Sequence, residues 1–198
     1  MENLLRRYVP AEAVLYCLRL WEEHPFHFTV TRPRRTKFGD YRFLPPHTHR
    51  ISINGDLNSY AFLITYLHEI AHHRVCLRFG PGTEPHGRHW KKQFRDLLLP
   101  VLSGSIFPSS VLEPLSDYAR SPRAATASHP ALYQALRSLD VRTDGSLRLA
   151  ELPENRSFRI GNRIFVKNEK RRTRYLCTDR ASGRKYTVPA EAMVVPVD

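Results

Sequence analysis

The run from Asn58 to Gly80, "NSYAFLITYLHEIAHHRVCLRFG", limits this chain more than any other stretch. Asn58 or Ser59 suits a helix N-cap, and Gly80 with Pro81 ends the helix near Phe79. Leu63, Ile64, Leu67, Ile70 and Ala71 are apolar, and before His68 the helix is apolar nearly all round. Such a helix has no face to offer water, so it must be central and enclosed by other elements.

Its neighbours follow from the flanking patterns. "PAEAVLYCLRLWE", residues 10 to 22, reads as an amphipathic helix with Pro10 in its first turn and a stripe of Val14, Leu15, Leu18 and Trp21. Phe26, Phe28 and Val30 alternate with His27 and Thr29, which is strand period. "KFGDYRF" reads as a turn entering a second strand, and "HRISIN", 49 to 54, as a third. After the Gly/Pro-rich loop "GPGTEP", "GRHWKKQFRDLLL" places Trp90, Phe94, Leu97 and Leu98 on one helix face. Further helices are expected around 109 to 120 and 129 to 139, with "RSPRAATAS" between them as an exposed linker. From about 156 the pattern returns to strands, with turns expected at Asn168 to Lys170 and at Asp179 to Gly183. The expectation is an α+β chain in three parts: a core over 1–100, a helical connecting region over 101–154, and a basic all-β appendage over 155–198.

On the central helix, "HEIAH" matches H-E-x-x-H. Positions i and i+4 share a face, so His68 and His72 can hold one zinc ion. Glu69 is turned by about 100° from His68. It is poorly placed as a ligand but suited to act as general base. A Glu and two His left unpaired on a buried helix would be costly, and a metal removes that cost. A catalytic zinc keeps three protein ligands and one open position. The metzincin spacing needs Gly at 75 and His at 78, where this chain has Val75 and Arg78. His73 points off the metal face and is expected to be partly exposed. Glu84, His86 and His89 remain as third-ligand candidates, and residue spacing leaves that choice open.

"HEIAH" (68–72), some fifteen residues, then "HGRHW" (86–90) resembles the SprT-like metalloprotease family. "FGDYRF" and "HRISIN" add to a resemblance that covers about residues 1–100. It implies a zincin-like core, with a small antiparallel sheet packed on the H-E-x-x-H helix. It also implies one catalytic Zn²⁺ held by His68, His72 and His86, with Gly87 and Trp90 completing the motif. The implied activity is zinc-dependent endopeptidase cleavage. The family's best-known eukaryotic member cleaves proteins covalently trapped on DNA. Many members end in a four-cysteine zinc ribbon, but here that region has only Cys177, so a second, structural zinc is not expected. His89 and Tyr41 are the candidates for oxyanion stabilisation, with a structural role as the plainer reading of each.

Charge suggests the partner. Thirty-one Lys and Arg against nineteen Asp and Glu leave +12, a balance that favours polyanions such as nucleic acid. Residues 155–198 hold eleven Lys/Arg and four acids, so more than half of the net charge lies there. Lys170, Arg171, Arg172, Arg174, Arg184 and Lys185 are the candidate nucleic-acid contacts. On a regular strand Lys170, Arg172 and Arg174 share one face, and nearby Phe165, Tyr175 and Tyr186 suit base stacking. A solvated hairpin is the plainer reading of such a charge run. Three scattered cysteines without a C-x-x-C pair fit a reducing compartment. With no signal-like or membrane-spanning apolar run, a soluble, cytoplasmic protein is expected. The function expected is a zinc endopeptidase acting on DNA-associated proteins. The alternatives are a zinc peptidase with no nucleic-acid role and a nucleic-acid-binding module with a structural zinc.

Overall fold

The computed structural model of the chain describes residues 1–34, 36–124, 128–140 and 146–197. The chain divides into two compact units, Met1–Asp140 and Val141–Asp198.

The first unit opens with α1 (Glu2–Tyr8), absent from the expectation, and α2 (Val14–Glu23), preceded by a single 3₁₀ turn at Ala11–Ala13. α2 buries Val14, Cys17 and Leu20, while Leu15 points to solvent, so the buried stripe lies one residue-step round from the expected one. Strands β1 (His27–Thr31), β2 (Gly39–Leu44) and β3 (Thr48–Asn54) form a sheet in the order β1-β3-β2. β2 pairs antiparallel with β3, but β1 pairs parallel with it. The small sheet is therefore mixed, not antiparallel as expected. Only adjacent strands joined by a tight connection must run antiparallel, and β1 reaches β3 through all of β2.

Helix α3 (Ser59–Phe79) packs on this sheet. Asn58 caps it, its side chain accepting the Ala61 N–H at 3.0 Å, and the Gly80 N–H closes the far end on Cys76. α3 is enclosed as its composition demands: Phe62, Leu63, Ile64, Tyr66, Leu67, Ile70, Ala71 and Val75 are all buried. Helix α4 (Arg88–Leu98) covers another side with Trp90, Phe94, Leu97 and Leu98. Helices α5 (Ser109–Arg120) and α6 (Pro130–Ser138) add Val111, Leu115, Leu132 and Leu136 to the same core. The region expected to connect two parts is thus divided. Its helices belong to the first core, because their apolar faces have nowhere else to be buried, while Leu149 and Leu152 belong to the second.

The second unit is a six-stranded antiparallel sheet of β4 (Leu147–Arg148), β5 (Ser157–Ile160), β6 (Arg163–Arg171), β7 (Arg174–Asp179), β8 (Lys185–Pro189) and β9 (Met193–Val197). Its order is β4-β9-β5-β6-β7-β8. Leu149, Leu152, Phe158, Phe165, Tyr175, Cys177 and Val194 make its core. The turn expected at Asn168–Lys170 is instead a bulge inside β6, where the register shifts between Lys167 and Lys170. Asn168 is held there by the Thr178 hydroxyl, which donates to its side-chain oxygen at 2.7 Å. The chain turns later, at Arg172 with φ +50°. The Asp179–Gly183 turn forms as expected, with the Asp179 carboxylate accepting the N–H groups of Ala181 and Ser182. No described helix is long and apolar enough to cross a membrane.

Candidate metal centre

Helix α3 carries His68 and His72 one turn apart, on the one part of its surface that faces a cleft. The loop after Gly80 folds back and adds His86. Its backbone sits at φ +60°, a conformation that costs a non-glycine residue about 1 kcal/mol or more. The turn is held by the Gly87 N–H donating to the Glu84 carbonyl at 3.2 Å, and Gly87 then starts α4. A Cβ on Gly87 would lie 2.7 Å from the Glu84 carboxylate, so a larger residue there would push that exposed side chain aside.

The three Nε2 atoms form a nearly equilateral triangle, with edges of 3.2 Å (His68–His72), 3.0 Å (His72–His86) and 3.1 Å (His68–His86). Three such contacts cannot all be hydrogen bonds, because each Nε2 offers a single in-plane proton or lone pair. Nitrogens bound at about 2.0–2.1 Å in a tetrahedral zinc site are roughly 3.3 Å apart. The triangle therefore fits a metal ion, and this is the one such group of His, Cys, Asp or Glu among the described residues.

Electrostatics keeps these imidazoles in the neutral, ligating form. Burial holds His68 well below the usual histidine range, helped by His72 and His86. Burial and His86 lower His72 to about 4, and burial lowers His86 as well. Trp90, fully buried, forms the floor. Its ring lies 4.6, 5.4 and 4.7 Å from the rings of His68, His72 and His86, and its Nε1–H donates to the His68 carbonyl at 3.3 Å.

The cleft beside the triangle has a volume of about 800 Å³ and is lined by β2, α3 and the 80–86 loop. Glu69 lines it too, yet is only 5% exposed. Burial, and after it the nearby Asp40, push its carboxyl up to about 8. Arg34, Lys37 and the Tyr41 backbone N–H pull the other way. Gly39 presses directly on this group: a Cβ there would stand 2.3 Å from Glu69 Oε1 and 2.7 Å from Thr65 Cγ2. Gly39→Ala is expected to displace the carboxylate and to cost about 1–3 kcal/mol of stability by overpacking. Denaturant melting and side-by-side zinc analysis check it, because the metal content should be unchanged. A glycine inside a strand signals such an approach, so "FGDYRF" carried the clue.

His73 is not partly exposed. It is buried (1% exposed) among Phe26, Tyr41 and His49, with ring distances of 5.3, 5.8 and 4.6 Å. Desolvation there lowers it to about 3. The sheet covers this side of α3, a fact outside the reach of helical periodicity. His89 is exposed, its ring tilted against that of Phe79 at 4.0 Å, and it lies outside the cleft lining. Tyr41 does line the cleft, and its hydroxyl pairs with His49 Nδ1 at 2.8 Å.

In the second unit, Lys170, Arg171, Arg172 and Arg174 cluster, all exposed, at the β6–β7 end. Arg184 and Lys185 lie at the other end of β7, roughly 17 Å away along the strand. The six therefore do not make one patch. Arg172 belongs to the turn, so no shared strand face unites it with Lys170 and Arg174. Phe165 and Tyr175 are buried in the core, and Tyr186 is covered by the Arg163 guanidinium at 4.6 Å, so the expected stacking platform is absent from these three rings. Their burial follows from the alternation of β6 and β7, which turns every second residue inward.

Fold and site together define a two-unit α+β chain with a three-histidine group beside a cleft. No family model, curated protein or solved structure matches the chain.

Proposed function

We propose that the first unit is a zincin-like, SprT-like metallopeptidase core and that the chain is a zinc-dependent endopeptidase acting on DNA-associated proteins. The observation that carries this reading is the Nε2 triangle of 3.0–3.2 Å edges opening on the cleft that Glu69 also lines. His68, His72 and His86 would hold Zn²⁺. When bound, the ion supplies Lewis acidity, bringing the pKa of water toward neutrality and polarising a scissile carbonyl. The chain's own residues do the rest. Glu69 takes the proton of the attacking water and returns it to the leaving amine. Its burial matches a general base held near neutral pKa. The cleft beside these residues is the place for the peptide substrate.

The test is metal analysis joined to cleavage. The purified chain is expected to carry one zinc, to cut a protein bound to DNA, to stop with a chelator and to recover with added zinc. His72→Ala is expected to lose both metal and cleavage. Cleavage that survives complete zinc removal would sink the proposal. A structural-zinc binding module has no use for an open cleft and a buried carboxylate beside the ligands, which weighs against that alternative.

Nucleic acid is assigned to the β6–β7 end of the second unit. Replacing Lys170, Arg172 and Arg174 together by Gln is expected to lower the slope of log affinity against log salt by about 2–3. An unchanged slope would remove this contact, and an equal rate with and without DNA would favour a peptidase with no nucleic-acid role.

A further inference from the structure

The apolar face of α4 is spent on the core, and what it turns outward is basic. Arg88, Lys91, Lys92 and Arg95 stand at i, i+3, i+4 and i+7, all exposed. With Arg120, Ser121 and Pro122 at the end of α5 they line a groove of about 490 Å³. Lys92 pairs with Asp96 at 2.6 Å and Arg120 with Asp117 at 3.0 Å. Among the described residues, Arg88, Lys91 and Arg95 have no carboxylate at ion-pair distance.

Folding does not account for this arrangement. Like charges at these spacings repel one another. The first turn of α4 holds no acidic residue, and Arg88 there opposes the helix dipole. A solvated helix face would alternate its signs. The groove holds five cations, two of them paired with carboxylates, and its three unpaired ones, all of one sign, suit an external polyanion. From Arg88 to Arg95 the stripe runs roughly 10 Å along the axis, about three phosphates of one strand.

We propose that this groove is a second nucleic-acid contact, on the first unit itself, that binds the phosphate backbone without reading bases. It rests on the nucleic-acid partner proposed above but not on the peptidase chemistry. Lys91→Gln with Arg95→Gln keeps helix propensity and touches neither the histidines nor Glu69. With the full chain and a fluorescent single-stranded oligonucleotide, the double variant is expected to lower the salt slope by about 1.4, or about 1.8 on duplex. Hydrolysis of a DNA-free peptide and zinc content should match wild type, which separates failure here from failure of the peptidase reading. Lys91→Arg with Arg95→Lys should keep the wild-type slope. An unchanged slope in the Gln variant overturns the proposal, as does an equal loss in the charge-conserving variant. So does polyglutamate binding as tightly as DNA, which would assign the groove to acidic protein.

Discussion

Replacing Glu69 by glutamine is expected to reduce peptide hydrolysis about 10²–10⁴-fold while leaving zinc at one per chain. The amide is nearly isosteric and can still accept the Tyr41 N–H, so the cleft should not collapse. It cannot take a proton. A second readout needs no substrate. In the metal-free protein, burial raises the folded carboxyl from its ordinary 4.5 to about 8. The folded state then holds a proton that the unfolded chain releases. Stability is full below about pH 4.5 and declines as pH rises toward about 8. Glu69→Gln removes this decline, so the metal-free variant should be the more stable of the two at pH 8. Chemical denaturation at pH 5 and pH 8 measures it. Equal pH dependence in both proteins would show that Glu69 is ionised in the fold.

Trp90→Ala is expected to cost about 3–5 kcal/mol, the usual loss for a large aromatic removed from a packed core. Trp90 is fully buried, stacks on Phe94 at 4.9 Å and supports all three histidine rings. Its loss should also weaken zinc binding about 10–100-fold, as when a group that orients ligands is removed. Trp90→Phe restores much of the ring volume but not the hydrogen bond to the His68 carbonyl. It should recover most stability and only part of the metal affinity. Thermal melting with and without zinc, plus competition against a chelating dye, separates the two effects. Metal affinity unchanged in Trp90→Ala would confine the residue to packing.

Much of the site was legible because it is local. His68 and His72 face one way since a helix repeats every 3.6 residues, and Asn58 and Gly80 bound the helix by their own cap chemistry. The helix is enclosed because its residues left no polar face. The errors share one cause. The burial of His73, the parallel pairing of β1, the bulge at Asn168 and the burial of Phe165 and Tyr175 all depend on which element lies alongside. Periodicity says which residues share a face, but not what covers it. The basic face of α4 was equally visible as letters. Only the placement of Arg120 beside it made a groove.

The letters alone thus determined a buried helix, two histidines one turn apart and a carboxylate beside them, because each follows from contacts within a few residues. The third corner of the triangle was decided by tertiary structure. His86 lies fourteen residues past His72 and meets it only because the loop turns back through a left-handed backbone onto the floor that Trp90 provides. The same holds for Glu69, whose carboxyl is raised by burial and by Asp40 of the strand that packs on it. Loop closure and sheet packing join residues far apart in the chain, and no local repeat records them.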